Sequence, residues 1–132
     1  MSEREVKYYK LLAKFYGTKE KFFDVKEDLD ELEGKKVYFK RKNAEVNKEL
    51  QEQLIKINKL KESGKGDKAL KEEAKLKKKE VTIAENRSKI QSILMKIEKK
   101  KLEFQKVRAE MEKTEAQIKT EYSDKFTELL SE

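Results

Sequence analysis

The amino-acid sequence predicts an all-α fold, in the form of a long antiparallel coiled-coil helical hairpin. Of 132 residues, 46% are charged and 36% are hydrophobic, which leaves too little apolar material for a globular core of that size. The chain has no proline and is rich in lysine, glutamate and leucine, as in long helices whose apolar side chains form one narrow seam. Apolar residues also recur at heptad spacing along most of the chain. We therefore expect residues 1–132 to form a single domain.

A first helix is predicted to begin near the N-terminus, where Ser2 and Glu5 match the pattern of a capping box. Gly17 is a candidate break in this helix. We expect residues 2–16 either to form a short helix of their own, packed at the base of the hairpin, or to continue with a bend into the first arm. The first arm covers residues 18–62, and nine of the twelve a and d positions that we assign in it are apolar, enough for a coiled-coil seam.

Asn43 is one of the polar exceptions in that seam, at an a position. By pairing with a polar group across the seam, such a residue fixes the register of two helices at some cost in stability. The alternative is that the seam merely tolerates it. The sequence favours neither interpretation.

A turn is predicted over residues 63–67, because Gly64-Lys65-Gly66 interrupts the helical pattern and Asp67 is a suitable N-cap for a second helix. The stretch lacks the flanking strand and the serine or threonine of a phosphate-binding P-loop. The second arm, residues 68–130, follows with apolar residues at nearly every seventh position from Ala69.

The position of the turn predicts the pairing of the two arms. If the chain reverses at Lys65, residue i lies opposite residue 129 minus i, and the two termini meet. The acidic stretch 24–33 then faces the lysine-rich stretch 96–105. Opposite charges at flanking positions orient antiparallel helices, so this match supports a hairpin folded within one chain.

Several functional classes are disfavoured by composition. The chain has no cysteine and no histidine, which removes disulfides, thiolate nucleophiles, the usual zinc ligands and the commonest proton-transfer group. We find no candidate catalytic, cofactor-binding or metal-binding residues, and expect a protein that is not an enzyme and uses no cofactor or small-molecule substrate. No apolar run is long enough for a membrane span or a signal peptide, so we expect a cytoplasmic protein.

Aromatic residues are concentrated at the base of the predicted hairpin, which we call the aromatic base: eight of the eleven lie in residues 8–23 or 122–126. Several of them fall outside the a/d seam and need a cover, either residues 2–16 folded back into a three-helix base or a second subunit. A membrane anchor is a third, less favoured interpretation. The predicted interface residues are Tyr9, Leu12, Tyr16, Phe23, Tyr122 and Phe126.

Positive charge is concentrated at the opposite end. Residues 56–79 contain ten lysines and four acids, and a second basic band covers residues 35–42. Such patches bind nucleic acids through their phosphates with little sequence preference, but a lysine-rich face that only meets solvent looks the same in sequence. The polyanion-binding candidates are Lys35, Lys36, Lys40, Arg41, Lys42, Lys65, Lys68, Lys71, Lys75, Lys77, Lys78 and Lys79.

Residues 22–95 resemble the N-terminal helical arm of bacterial-type seryl-tRNA synthetases. The likeness comprises Leu29-Asp30 followed by the pair Lys35-Lys36, the stretch KNAEVNKEL, the Gly-Lys-Gly-Asp turn and a leucine-bearing return helix. The resemblance implies an antiparallel hairpin whose basic residues contact the backbone of RNA. Because the return helix continues where the family's catalytic domain would follow, it does not imply aminoacylation.

Two functions are therefore predicted. The leading one is a non-catalytic adaptor, spacer or assembly subunit that binds a protein partner, or a second copy of itself, through the aromatic base. The alternative is an RNA- or DNA-binding arm, with RNA favoured, that uses the lysine-rich tip and the basic band.

Overall fold

A computed structural model describes residues 2–125 of the chain. It contains two long helices, α1 (Glu3–Glu62) and α2 (Gly66–Glu121), followed by a short 3₁₀ helix, Ser123–Lys125. No strand occurs in this part of the chain. The two helices pack against each other, so the prediction of an all-α helical hairpin is confirmed.

Helix α1 begins where the capping pattern predicts but does not break at Gly17. The Glu5 amide donates a hydrogen bond to the Ser2 hydroxyl at 3.2 Å, which confirms Ser2 as the N-cap. The prediction of a separate helix over residues 2–16 is wrong, because α1 runs through Gly17 without interruption. The hydroxyl of Thr18 donates to the Lys14 carbonyl at 2.8 Å, a bond made inside a helix rather than at its N-cap. One helical glycine costs only about 1 kcal/mol, less than the packing of the flanking turns contributes.

The turn between the helices is a Schellman motif centred on Gly64. The Gly64 amide donates to the Lys61 carbonyl at 3.1 Å and the Lys65 amide to the Leu60 carbonyl at 2.9 Å. This arrangement requires a residue in the left-handed region, and Gly64 has φ 70°. Helix α2 then begins at Gly66, so Asp67 lies in its first turn and is not the predicted N-cap.

Contacts divide the chain into two compact units, where the sequence predicts one domain. The terminal unit combines the described residues up to Glu31 with those from Glu98 onward, and the turn unit is Leu32–Ile97. In a helical pair each residue contacts only its neighbours along and across the seam. Contacts therefore cluster locally.

The core of the terminal unit is aromatic. Tyr8, Phe15, Ile118 and Tyr122 form one buried cluster, against which Leu11, Leu12, Tyr16 and Met111 pack. The rings of Tyr8 and Tyr122 lie 5.4 Å apart and those of Phe22 and Phe104 lie 4.8 Å apart, within the range of favourable aromatic pairs.

The core of the turn unit is aliphatic and interrupted by amides. Its buried hydrophobic residues are Ile57, Ala69, Ile83, Ile93 and Ile97. Gln53 and Asn86 are buried beside them. The seam of this unit thus contains both apolar and polar layers. The heptad pattern of α2 predicts the apolar residues that recur from Ala69, but not the buried amides.

The predicted register agrees with contacts inside each unit. Asn86 donates to the Asn43 side-chain oxygen at 3.4 Å, and residue 86 is the partner that the register assigns to Asn43. Of the two interpretations of Asn43, this pair supports register fixing. In the terminal unit, Lys100 forms an ion pair with Asp28 at 3.2 Å, so the acidic stretch 24–33 meets the lysine-rich stretch as predicted.

Helix α2 ends earlier than the predicted second arm, residues 68–130. It stops at Glu121, where the side chain of Arg4 donates to the last helical carbonyl at 3.3 Å. A cation at a helix C-terminus satisfies a free carbonyl and complements the helix dipole. The rest of that predicted arm, beyond the 3₁₀ helix, lies outside the described residues.

Candidate functional surfaces

The aromatic base presents two exposed rings. Tyr9 and Phe23 are 52% and 53% exposed, and they lie two heptads apart on one face of α1. Leu12 and Tyr16 are half-buried and pack against the unit's own core. The Tyr16 hydroxyl is buried without a hydrogen-bond partner in the described part of the chain.

One predicted member of the interface, Tyr122, does not belong to this exposed surface. Tyr122 is only 6% exposed, because its ring packs between Tyr8 and the guanidinium of Arg4, so its assignment to an interface is wrong. The register placed Tyr122 near the N-terminus of α1, but it did not show that the ring is buried against Tyr8. Phe126 lies outside the described residues.

Arg4 is a structural residue that the sequence analysis missed. Two of its nitrogens donate to the two carboxylate oxygens of Asp124, at 2.8 and 3.2 Å, a bidentate pair. The hydrogen bond from Arg4 holds the pKa of Asp124 below its ordinary value, and the same bond raises the pKa of Arg4. The pair joins the start of α1 to the 3₁₀ helix, and no local sequence pattern connects residues so far apart.

All twelve polyanion-binding candidates lie in the turn unit. Nine are exposed, whereas Lys36, Lys42 and Lys79 are half-buried. Three already have acidic partners: Lys36 with Glu33 at 2.6 Å, Arg41 with Glu45 at 2.6 Å, and Lys75 with Glu72 at 3.4 Å. The other nine form no ion pair within the described residues.

The middle basic band contains an exposed aromatic ring. Tyr38 is 47% exposed, and the cationic groups of Arg41 and Lys42 lie 5.5 and 5.6 Å from its ring centre. On the other side of the seam, Lys89 lies 5.2 Å from the centre of the Phe39 ring. These distances are in the range of cation–π contacts. The band therefore combines positive charge with a flat apolar surface, the two features used to bind nucleic-acid backbones and bases.

A polar cluster near the turn was also missed by the sequence analysis. The Gln53 amide nitrogen donates to the carboxylate of Glu72 at 2.9 Å, and Lys56 and Lys75 both reach the same oxygen of Glu72 at 3.4 Å. The bond from Gln53 holds the pKa of Glu72 below its ordinary value, and both lysines act in the same direction against desolvation. Glu72 lies three residues after Ala69, at the second of the two seam positions in each heptad of α2, so a count in heptads identifies it.

Neither a metal centre nor a membrane span is found in the described residues. No group of three or more acidic side chains is arranged to hold a metal ion. Neither long helix contains a stretch apolar enough to cross a bilayer.

Comparison with protein-family models, curated proteins and solved structures finds no match to this chain. The resemblance of residues 22–95 to the arm of seryl-tRNA synthetases stays a prediction.

Proposed function

We propose that the protein is a non-catalytic, cytoplasmic helical hairpin that serves as an adaptor, spacer or assembly subunit through protein–protein contacts at its aromatic base. The observation that carries this proposal is the exposure of Tyr9 and Phe23, each of which leaves about half of its surface in solvent. Val6 on the same helix is also 42% exposed.

Exposed rings on one helix face favour a protein contact for energetic reasons. A buried aromatic side chain contributes more apolar area than any other, and tyrosine also offers a hydroxyl for hydrogen bonding at an interface rim. Each ring stands beside an aromatic residue of the seam: Tyr9 lies 5.1 Å from Tyr8, and Phe23 lies 5.6 Å from Phe22, which packs on Phe104 of α2. A partner would therefore meet a preorganised surface.

The experiment is a measurement of solution mass by light scattering for the protein and for Tyr9→Glu/Phe23→Glu. The two glutamates place charge on the proposed contact, and we expect the variant to lose an associated state that the unsubstituted protein populates. Tyr16 is left unchanged because it packs on the core, where a charge would test folding instead.

The control is Tyr38→Glu, which places one glutamate on a similarly exposed ring in the turn unit, and it is compared with each of the single variants Tyr9→Glu and Phe23→Glu. We expect it to leave the mass unchanged. A protein that is monomeric at every concentration tested excludes self-association, and association that survives Tyr9→Glu/Phe23→Glu excludes the aromatic base as its interface.

A second candidate function is an RNA- or DNA-binding arm. It is favoured by the nine basic candidates that have no acidic partner in the described structure, since their charge is not neutralised by the fold. Binding of this kind releases counterions and weakens steeply as salt rises. Titration against a labelled structured RNA at low and at moderate salt tests it, and absence of salt-sensitive binding would exclude this candidate.

A further inference from the structure

The lysines of the turn unit are distributed unequally between the two edges of the helical pair. On one edge, which we call the lysine edge, every seventh residue of each helix is a lysine with two exceptions, Glu49 and Thr82. Its lysines are Lys35, Lys42 and Lys56 on α1, and Lys68, Lys75, Lys89 and Lys96 on α2. Lys56, Lys89 and Lys96 are absent from the sequence-based candidates, although the seven-residue spacing identifies them.

Contacts show that the two rows share one edge. Lys56 and Lys75 come from different helices and both reach the same oxygen of Glu72 at 3.4 Å. Lys89 of α2 lies over the ring of Phe39 of α1. Heptad spacing then places Lys42 level with Lys89.

One heptad further along, Lys35 is level with Lys96. Successive levels of the edge are about 10 Å apart, since seven residues rise at 1.5 Å each, and the level of Glu49 and Thr82 separates the Lys56/Lys75 pair from the other two pairs. Like charges face each other across the seam in each of these lysine pairs, an arrangement that does not stabilise a helical pair.

Only one of these lysine pairs is neutralised within the fold. Glu72 lies between Lys56 and Lys75, whereas Lys42, Lys89, Lys35 and Lys96 have no acidic partner in the described structure. Lys42 and Lys89 contact aromatic rings instead. Anions that neutralise these lysines must therefore come from outside this part of the chain or from solvent.

The opposite edge shows that the asymmetry is not a consequence of a lysine-rich composition. Its flanking positions contain three acids and three basic residues. Lys61 and Glu73 form an ion pair there at 2.7 Å, as expected for charges that orient antiparallel helices. The residues of this edge are Glu33, Lys40, Asn47, Leu54, Lys61, Glu73, Glu80, Arg87 and Leu94.

We propose that the lysine edge of the turn unit binds the phosphodiester backbone of a nucleic acid, with phosphates lying between Lys42 and Lys89 and between Lys35 and Lys96. This inference rests on the second candidate function above and names its site. The exposed ring of Tyr38, beside Lys42, offers a stacking surface for an unpaired base.

An anionic membrane is a poorer match to this edge. Helices that adsorb to bilayers place a broad apolar face beside their basic residues. The rows that border the lysine edge are polar apart from Tyr38. They contain Glu45, Glu52 and Lys59 on α1, and Lys71, Lys78, Glu85 and Ser92 on α2. Apolar side chains for insertion are therefore missing.

The test compares two double variants that remove equal charge at the same level of the turn unit. Lys42→Gln/Lys89→Gln changes the lysine edge, and Lys40→Gln/Arg87→Gln changes the opposite edge. Binding of a labelled RNA hairpin is measured across a salt series. We expect the lysine-edge variant to bind about tenfold more weakly or worse. The slope of log K against log salt should also become shallower by about two, since each phosphate contact contributes about one. The control should lose less than half as much.

Thermal unfolding shows whether a loss of binding is caused by misfolding of the variant. Lys42→Gln/Lys89→Gln relieves a like-charge repulsion but also removes two cation–ring contacts, effects that are small and opposite, so we expect its Tm to stay close to that of the unsubstituted protein. Lys42→Arg/Lys89→Arg retains the charge and should retain binding.

The outcomes separate the inference from the function on which it rests. Equal losses in the two glutamine variants would overturn the lysine edge and leave nucleic-acid binding intact. No salt-sensitive binding by the unsubstituted protein would overturn both. Binding to vesicles containing phosphatidylserine but not to the RNA hairpin would replace the nucleic acid with a membrane.

Discussion

The terminal unit and the turn unit are built from the same two helices, yet the hydrogen bonds of their buried polar side chains run in different directions. Each unit also buries one oxygen without a partner among the described residues, the Tyr16 hydroxyl and the Gln53 Oε1. In the terminal unit, Thr18 and Thr114 are buried and each hydroxyl donates to a carbonyl four residues earlier in its own helix. In the turn unit, Gln53 and Asn86 are buried and reach across the seam to the other helix. A threonine that bonds to its own helix does not depend on the register, whereas an amide that bonds across the seam does.

This difference indicates a division of roles within the fold. Aromatic packing supplies the terminal unit with a large buried area, which stabilises without selecting one register strictly. The turn unit buries smaller aliphatic groups and pairs its amides, which disfavours any shifted alignment because a shift would leave buried amides unpaired. The Schellman turn at Gly64 acts in the same direction by setting where the chain reverses.

The largest expected effect is loss of the aromatic core. Phe15→Ala should lower the free energy of unfolding by about 3–5 kcal/mol, because it leaves a cavity in the buried cluster of the terminal unit. Urea unfolding followed by circular dichroism measures this. Phe23→Ala removes an exposed ring from the same helix and should cost less than about 0.5 kcal/mol in the monomer. Equal costs would contradict the division between core and exposed aromatic residues.

A smaller effect is expected at the turn. Gly64→Ala should destabilise by about 1–2 kcal/mol, because alanine is strained at a φ of 70°. No atom lies within 4 Å of a Cβ added at Gly64 or at Gly66, so crowding contributes nothing at either position. Gly66→Ala, at the start of α2, should therefore be neutral or stabilise by up to about 1 kcal/mol. Chemical denaturation of Gly64→Ala and Gly66→Ala in the same buffer measures both changes in the free energy of unfolding.

Replacing the Asn43–Asn86 pair should affect the register of the two helices more than the stability of the fold. In Asn43→Leu/Asn86→Leu both partners become apolar, so we expect stability to change by less than about 1 kcal/mol while shifted registers become populated. Spin labels on cysteines introduced at Glu49 and Thr82, both exposed in the turn unit, report the register as a distance distribution. The distribution should be broader than with both asparagines present. A single narrow distance in the double variant would show that the asparagines do not set the register.

The smallest effect concerns pH. The pKa of Glu72 in the turn unit and of Asp124 in the terminal unit lies below the ordinary values of 4.5 and 3.8. The unfolded chain therefore takes up these protons first as pH falls. Each carboxylate contributes stability that is present above its ordinary pKa and is lost as pH falls through its folded pKa.

Amide hydrogen exchange, measured by NMR between neutral pH and pH 3, reports the stability of each unit separately. Glu72→Gln should flatten the pH dependence of protection in the turn unit only, and Asp124→Asn that of the terminal unit only. A uniform change across both units in either variant would contradict these local assignments.

Much of the fold follows from spacing alone. Composition and heptad periodicity predicted both long helices, and the cap at Ser2 and the turn at Gly64 placed both ends of α1 and the start of α2 within a few residues, but not the end of α2 at Glu121. The register of the arms, deduced from the turn, anticipated Asn43 opposite residue 86. Gly17 is the exception: local propensity marks it as a break, whereas a long packed helix outweighs one unfavourable residue.

The candidate surfaces were only partly predictable. Sequence identified the exposed rings of Tyr9 and Phe23 but also assigned Tyr122 to the interface, since burial depends on where the chain turns after α2. Lysine clusters were located correctly along the chain, yet their division between two edges depends on which helix faces which. A heptad count made on both helices together reveals Lys56, Lys89 and Lys96.

The order of residues along this chain by itself determines that it is helical, where it reverses and which residues are level with one another, because helix geometry is periodic and the chain has one strong break. Only the tertiary structure decided that Arg4 closes on Asp124, that Glu72 draws together Gln53, Lys56 and Lys75, and that Tyr122 is buried. Such contacts depend on distances between groups far apart in sequence, and a hydrogen bond changes from favourable to absent within about 1 Å.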